Sequence, residues 1–191
     1  MNNKNLEKIK NSDILLKIKE YKEYYIIEIN INSLTAPSQR PRTTIKNDHF
    51  YDPLESYKKY IQRNIKNIIE RCFKQFKIIE GYVEIKIEYS MIPPISWSKI
   101  KRYNAIKGFI KPVVKPDNDN IEKTIYDTLN KIIWKDDNQI VKNETIKFYN
   151  TEEFTNIIIK GYKNNIELKN KRINKDIIKK LSKKEKEFLN L

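Results

Sequence analysis

The chain has 191 residues, of which 39 are Lys or Arg and 25 are Asp or Glu, so its formal net charge is +14. That length suits one compact domain with additional segments at its ends, and such a basic protein is expected to have a polyanionic partner. No apolar run approaches the ~20 residues that span a bilayer, and the polar start lacks a secretory signal, so we set membrane aside and expect a cytoplasmic protein that binds nucleic acid.

Cysteine and histidine are nearly absent, which narrows the chemistry that the chain can perform. The only cysteine is Cys72 and the only histidine is His49, so neither an intramolecular disulfide nor a zinc site built on such ligands can form. Cys72 lies within an apolar helical pattern and is expected to pack in the core. Any metal would have to be held by carboxylates, which favour Mg²⁺ or Mn²⁺.

The first half of the chain predicts strands around one long helix. Residues 1–20 leave helix and strand open, whereas partial alternation predicts a strand over 24–31. A proline-containing loop follows over 33–53. Apolar residues at helical spacing predict a helix over 54–76, and strict alternation predicts a strand over 83–91 with one buried face.

The second half predicts two further helical segments and a strand pair. Residues 96–107 form a short basic segment with a serine N-cap, residues 119–130 a helix, and residues 138–149 and 154–161 two strands joined by a turn. We divide the chain into an N-terminal extension (1–22), a central domain (23–162) and a basic, helical C-terminal tail (163–191). The order of elements predicts an α+β fold, with helices layered on a small sheet.

Aspartates are concentrated in one short region of this basic chain. Five of the nine, namely Asp117, Asp119, Asp127, Asp136 and Asp137, fall between positions 117 and 137. Carboxylates gathered in this way repel one another unless a cation lies between them. Basic surface that holds phosphates, beside carboxylates that hold a metal, is the arrangement that a DNA-cutting enzyme needs.

Each of these residues also has an ordinary structural explanation. Asp119 and Glu122 have the spacing of a helix capping box, and Asp117 could form a turn just before it. The acids at 136–137 could belong to a simple turn. Lys123 follows Asp119 by four residues, which is compatible with a surface salt bridge as well as with a cation that stabilises charge on a phosphate. Spacing alone leaves these alternatives open.

The residues of this region resemble the RusA family of Holliday junction resolvases, and in particular its Gram-positive phage and prophage branch. The resemblance is carried by the segments KPDNDNIEK (115–123), DTLN (127–130) and WKDDNQI (134–140), with weaker similarity in Arg40-Pro-Arg42, in Tyr51-x-Pro53 and over residues 96–99. It covers roughly residues 23–162. Lys131 departs from the pattern, because many relatives have Gly there.

The resemblance implies a small mixed sheet with helices packed on it in two layers. It also implies a homodimer that cuts four-way DNA junctions with Mg²⁺, for which Mn²⁺ could substitute. By motif position, Asp117, Asp119 and Asp137 correspond to the family's metal-binding aspartates and Lys123 to its catalytic lysine. Asp136 matches the less critical member of the acidic pair.

Basic side chains along the chain are candidates for contacts with DNA phosphates, which position a duplex without reading its sequence. The candidates are Arg40, Arg42, Lys99, Lys101, Arg102, Lys111 and Lys115. The alternative function is a basic nucleic-acid-binding protein without catalytic activity, but this alternative leaves the concentration of acids unexplained.

Chain geometry sets a condition on the proposed site. A helix running from Asp119 to Ile133 would be about 21 Å long, and four extended residues return at most about 14 Å. Asp137 therefore reaches Asp119 within one subunit only if the helix ends near Asn130 and the chain doubles back. Otherwise the site is shared across a dimer, with Asp137 supplied by the partner. We favour the first arrangement at this point.

Overall fold

The computed structural model describes residues 9–11, 13–32, 42–43, 50–51, 55–164 and 182–183, and the short pieces 9–11, 42–43 and 50–51 by their backbone alone. The candidate Arg40, the residue His49, most of the 33–53 loop and nearly all of the predicted C-terminal tail lie outside the described residues.

Strands and helices alternate along the described ranges. The strands are β1 (Ile9–Asn11), β2 (Ile14–Glu20), β3 (Tyr24–Ile31), β4 (Arg42–Thr43), β5 (Phe50–Tyr51), β6 (Val83–Met91), β7 (Ile140–Tyr149) and β8 (Phe154–Tyr162). The helices are α1 (Glu55–Cys72), α2 (Lys99–Ile106) and α3 (Asn118–Leu129), and a short 3-10 helix spans Asp137–Gln139.

Six strands form one mixed sheet in the order β1-β2-β3-β8-β6-β7, and β4 pairs with β5 separately. All neighbours in the large sheet are antiparallel except β6 and β7, which run parallel. This arrangement confirms the α+β fold with a mixed sheet. A parallel pair needs a crossover, and α2 and α3 lie in the chain between β6 and β7.

One face of the sheet is buried against helices, because alternate residues of each strand point to the same side. The alternation is complete in β3, and it continues in β6 and β8. A single core cluster joins these strand residues to the buried stripes of the helices, which are Ile61, Ile65 and Ile68 in α1 and Ile121, Ile125 and Leu129 in α3. The opposite sheet face is half-buried, so the domain has two layers.

Element ends differ from the sequence expectations by a few residues. The apolar spacing predicted a helix to position 76, but α1 ends at Cys72. Phe73 and Phe76 continue the spacing because they still pack on the core after the helix has ended. Cys72 is half-buried against that core, which confirms its packing role. The basic helix α2 is shorter than 96–107 and is capped by Ser98, whose side chain accepts a hydrogen bond from the Lys101 amide.

The undecided segment 1–20 contains strand structure. Ile14, Leu16 and Ile18 of β2 are fully buried, and β2 pairs along its length with β3. From residue 14 onward, the segment that we assigned to an N-terminal extension is therefore part of the same sheet as the central domain. In the described ranges, no helix combines the length and apolarity required to cross a bilayer.

Candidate active site

The start of α3 presents two carboxylates to solvent. The N-cap position is Asp117, with extended backbone (φ −77°, ψ 155°), but its side chain makes no capping hydrogen bond. Asp119 lies in the first turn of the helix, so the alternative of Asp119 as N-cap with Glu122 in a capping box is wrong. Both side chains are exposed, and both are placed where the helix dipole favours negative charge.

Hydrogen bonds between β7 and the segment around Asn118 fix the start of α3. Asn118 donates from its amide nitrogen to the Thr145 carbonyl at 3.3 Å. The Lys147 ammonium donates to the carbonyls of Val114 and Pro116 at 2.8 and 2.7 Å. The entry into α3 is thus held by charge-assisted bonds, which are the stronger kind of hydrogen bond.

We expect Lys147→Met to loosen this entry. Hydrogen bonds to a charged donor contribute about 1.5–3 kcal/mol each when formed, and Lys147 is only half-buried, so we expect a net loss of about 1–2 kcal/mol in the free energy of unfolding. Amide hydrogen exchange should accelerate over residues 114–119. Urea unfolding and hydrogen-exchange mass spectrometry measure the two effects.

The matched control for this change is Lys142→Met, which removes the same charge from an exposed position of the same strand. We expect the control variant to keep wild-type stability and exchange rates. Equal behaviour of the two variants would show that the Lys147 contacts do not hold the loop.

Lys123 lies one helical turn after Asp119 and is exposed. The sequence left open whether these two residues form a surface salt bridge. Among the ion pairs of the described residues there is none between Lys123 and Asp119, although Asp127 on the same helix pairs with Lys58 at 2.9 Å. The Lys123 ammonium therefore remains available to a ligand beside the two carboxylates.

The two acids after α3 have different roles. Asp136 caps the 3-10 helix: its carboxylate accepts from the Asn138 amide at 3.0 Å, and its own amide donates to the Gln139 side chain at 2.8 Å. Asp137 opens the same helix and is exposed, with no capping task. Asp136 therefore has a structural role as a cap, whereas the exposed Asp137 carboxylate makes no capping bond and could bind a ligand.

Gln139 is a positioning residue that the sequence analysis did not single out. Its side-chain amide donates to the carbonyls of Ile79 and Gly81 at 3.0 and 2.6 Å, which fastens the 3-10 helix to the connection between α1 and β6. The only sequence signal for this role is the position of Gln139 in the segment WKDDNQI (134–140), which carries part of the family resemblance. The glutamine sets where Asp137 stands relative to the sheet.

The helix α3 ends early, as the chain-length argument required for doubling back. Asn130 is its C-cap, Lys131 has a left-handed backbone (φ 63°), and the Lys131 amide donates to the Trp134 carbonyl at 2.7 Å. Glycine is favoured in this conformation, so Lys131 holds a left-handed backbone that a residue with a side chain seldom adopts. The turn is anchored by the fully buried Trp134.

After this turn, β7 runs back alongside α3. Thr145 lies opposite Asn118, and Asn143 lies opposite Glu122, to which it donates at 2.8 Å. The end of β7 is thus near the start of α3, and the beginning of β7, which follows Asp137, is near the end of α3.

Asp137 accordingly lies toward the C-terminal half of α3. Burial raises the pKa of the Tyr126 hydroxyl to about 12, with Glu122 and Asp137 contributing negative charge nearby. Tyr126 follows Asp119 by seven residues, which is about 10 Å along a helix axis. Throughout the part of the chain that the structure describes, no three His, Cys, Asp or Glu side chains lie close enough together to hold a metal ion.

The structure therefore groups Asp117, Asp119 and Lys123 at one helix start, and it keeps Asp137 apart from them within one chain. Exposed carboxylates without capping bonds or ion pairs suit a hard cation such as Mg²⁺. The donor chemistry fits the ion, whereas one chain does not bring three carboxylates together.

The basic candidates lie mainly on α2 and in the loop that follows it. Lys99, Lys111 and Lys115 are exposed, and the Lys101 ammonium lies 4.0 Å from the centroid of the Trp97 ring. Arg102 is half-buried, and its Nε has no hydrogen-bond partner in the described ranges. Arg42 belongs to β4 by its backbone.

Comparison with known proteins places the chain in a family. The family model described as Endodeoxyribonuclease RusA matches residues 34–160. The chain therefore belongs to the RusA family, whose members are endodeoxyribonucleases that act on branched DNA. It is also similar to the uncharacterized protein YqaN of Bacillus subtilis (strain 168), with 36% identity over 125 residues, which is 63% of this chain and 86% of the relative. The resemblance that the acidic motifs carried is confirmed.

Proposed function

We propose that this protein is a Mg²⁺-dependent endodeoxyribonuclease that resolves four-way DNA junctions as a homodimer, in DNA recombination and repair. The observation that carries the proposal is the helix start of α3. The chain belongs to a family of endodeoxyribonucleases. At the start of α3, the carboxylates of Asp117 and Asp119 are exposed and make no capping bond, and the exposed Lys123 lies on the next turn without an ion pair to Asp119.

Three groups of residues have separate roles in the proposed hydrolysis of the phosphodiester. The aspartates would hold the ion, which, when bound, supplies a Lewis acid for the phosphate and lowers the pKa of a bound water. The Lys123 ammonium stabilises negative charge that develops on the scissile phosphate. Basic side chains on α2 and its loop hold the duplex arms, and each phosphate that they neutralise adds about 0.9 to the salt slope of binding.

A dimer fits both the reaction and the geometry of one chain. Junction resolution requires two symmetric cuts, and a two-fold dimer supplies two copies of one site. The separation of Asp137 from the helix start supports a shared site, in which the partner subunit's Asp137 completes the pair Asp117 and Asp119. We now prefer this arrangement over the single-subunit site that the sequence analysis favoured.

A synthetic four-way junction with labelled strands tests the proposed activity. We expect paired nicks near the branch point in Mg²⁺ or Mn²⁺, none in EDTA, and little cutting of a linear duplex of the same sequence. Glu70→Gln provides a control variant, because this exposed acid lies near the end of α1, away from the helix start of α3. Binding by folded protein without nicking in either metal would instead identify a non-catalytic nucleic-acid-binding protein.

A further inference from the structure

The segment between β6 and α3 exposes an unusual amount of apolar surface. Of the thirteen large apolar side chains that are exposed in the described residues, eight lie between positions 92 and 114. The four most exposed are Val113 (92%), Ile95 (86%), Phe109 (79%) and Ile100 (75%). We call the set Ile95, Ile100, Tyr103, Phe109 and Val113 the apolar ridge. Exposed apolar side chains concentrated in one segment, rather than scattered singly, mark a candidate interaction site.

The ridge is presented by ordered structure. α2 carries Ile100 and Tyr103, three residues apart on its solvent side, while Ala105 of the same helix is fully buried. The helix start is fixed by the Ser98 cap, and Trp97 packs edge-on against Tyr149 of β7 with ring centroids 5.5 Å apart. Ile100 and Tyr103 are thus held outward by a helix that is itself anchored to the sheet, while Ile95, Phe109 and Val113 lie in the segments on either side of it.

The charge around the ridge favours a polyanion over a second copy of the chain. Residues 89–116 contain six basic residues, namely Lys99, Lys101, Arg102, Lys107, Lys111 and Lys115, and no acidic residue. Self-association through the ridge would bring two such sets of like charges together, which opposes binding. A nucleic acid neutralises the same charges.

The ridge is also attached to the candidate active site. Lys147 holds the carbonyls of Val114 and Pro116, so the loop that carries Phe109 and Val113 runs directly into Asp117. DNA that contacts the ridge would therefore place a phosphodiester near Asp117, Asp119 and Lys123 at the start of α3.

We propose that the apolar ridge packs against unstacked bases at the branch point of the DNA junction. An intact duplex arm offers phosphates and groove edges, and base faces become accessible where strands exchange. Aromatic side chains stack on bases, and apolar wedges unstack base steps. The ridge thereby distinguishes branched DNA from linear duplex and holds the crossover beside Asp119. This inference rests on the proposed function, which supplies the four-way DNA junction as the substrate.

Fluorescence of 2-aminopurine, which rises when the base unstacks, tests the ridge directly. The probe is placed at the branch point of a four-way junction or, as a reference, in the middle of one arm. Binding in EDTA keeps the DNA uncut. We expect wild-type protein to raise the branch-point signal and not the arm signal. Tyr103→Ala and Phe109→Ala should each reduce that rise by half or more and lower the preference for junction over duplex about tenfold.

Tyr21→Ala is the control, because Tyr21 is an exposed aromatic residue in the β2–β3 turn, far along the sheet from β7. It should behave as wild type. An undiminished fluorescence rise and junction preference in both ridge variants would overturn the inference. Loss of dimerisation in the ridge variants, seen by sedimentation, would also overturn it and would show a self-association surface instead.

The design separates this inference from the proposed function. If wild-type protein nicks the junction in Mg²⁺ but gives no branch-point signal, the ridge inference fails alone. If the branch-point signal depends on Tyr103 and Phe109 but no metal supports nicking, the catalytic proposal fails and the recognition role of the ridge stands.

Discussion

Asp119→Asn is expected to abolish junction cleavage and to leave junction binding intact. The amide has the shape of the carboxylate without its charge, so it is a poor ligand for a hard cation. Loss of several kcal/mol of charge stabilisation corresponds to roughly a 10³-fold fall in the single-turnover rate. Affinity for the junction should stay equal or rise slightly, because one charge that repels phosphates is removed. Single-turnover cleavage and fluorescence anisotropy in EDTA measure the two quantities.

The structure makes this variant a clean test of chemistry. Asp119 is exposed and is not the N-cap of α3, so its replacement removes no helix-capping bond. We expect only a small fall in its thermal midpoint, from the loss of one negative charge near the positive end of the helix dipole. Asp136→Ala provides the contrast, because it removes the carboxylate that caps the 3-10 helix, and loss of such a cap should cost about 1 kcal/mol of stability. If Asp119→Asn loses binding, cleavage and thermal stability together, the residue is structural.

Mixed dimers of Asp119→Asn and Asp137→Asn subunits are expected to regain cleavage that neither parent shows. In a shared site, the subunit with an intact Asp119 meets the other subunit's intact Asp137, so one of the two sites in each mixed dimer is complete. Random reassociation of equal amounts makes half of the dimers mixed, which restores about one quarter of the wild-type sites. The restored activity should nick one strand and should not make the paired cuts of wild type.

The readout is nicking of one labelled strand after the two variants are unfolded and refolded together. Refolding each variant alone provides the baseline, and co-refolded Asp119→Asn with wild type calibrates subunit exchange. A mixture that stays as inactive as its parents, despite verified exchange, would place all three aspartates in one subunit. Asp137 would then have to move toward Asp119 when metal or DNA binds.

Local patterns in the sequence determined most of the secondary structure. The alternation in β3 and β6 has a period of two, and the apolar stripes of α1 and α3 have a period near 3.6, so each pattern specifies its element without knowledge of the rest of the chain. Element ends were less certain. Phe73 and Phe76 continue the helical spacing of α1 in a segment that has already left the helix, because packing on the core requires apolar residues in any backbone conformation.

The sequence also determined the kind of chemistry. Acids concentrated within a basic chain, together with the motifs around Asp117, Asp119 and Asp137, pointed to the family that comparison then confirmed. These motifs are local, and the chemical character of a side chain is the same wherever the fold places it.

Only the tertiary structure decided which residues are free and which stand together. In the structure, Asp136 caps the 3-10 helix and Gln139 binds it to the connection before β6. Asp119 is not the N-cap of α3, so it has no capping role. The tertiary structure also showed that α3 ends early enough for the chain to return, yet that Asp137, in the 3-10 helix ahead of β7, lies near Tyr126 in the C-terminal half of α3. Such distances depend on how β7 pairs with β6 and packs beside α3, and these long-range contacts leave no periodic signal in the sequence.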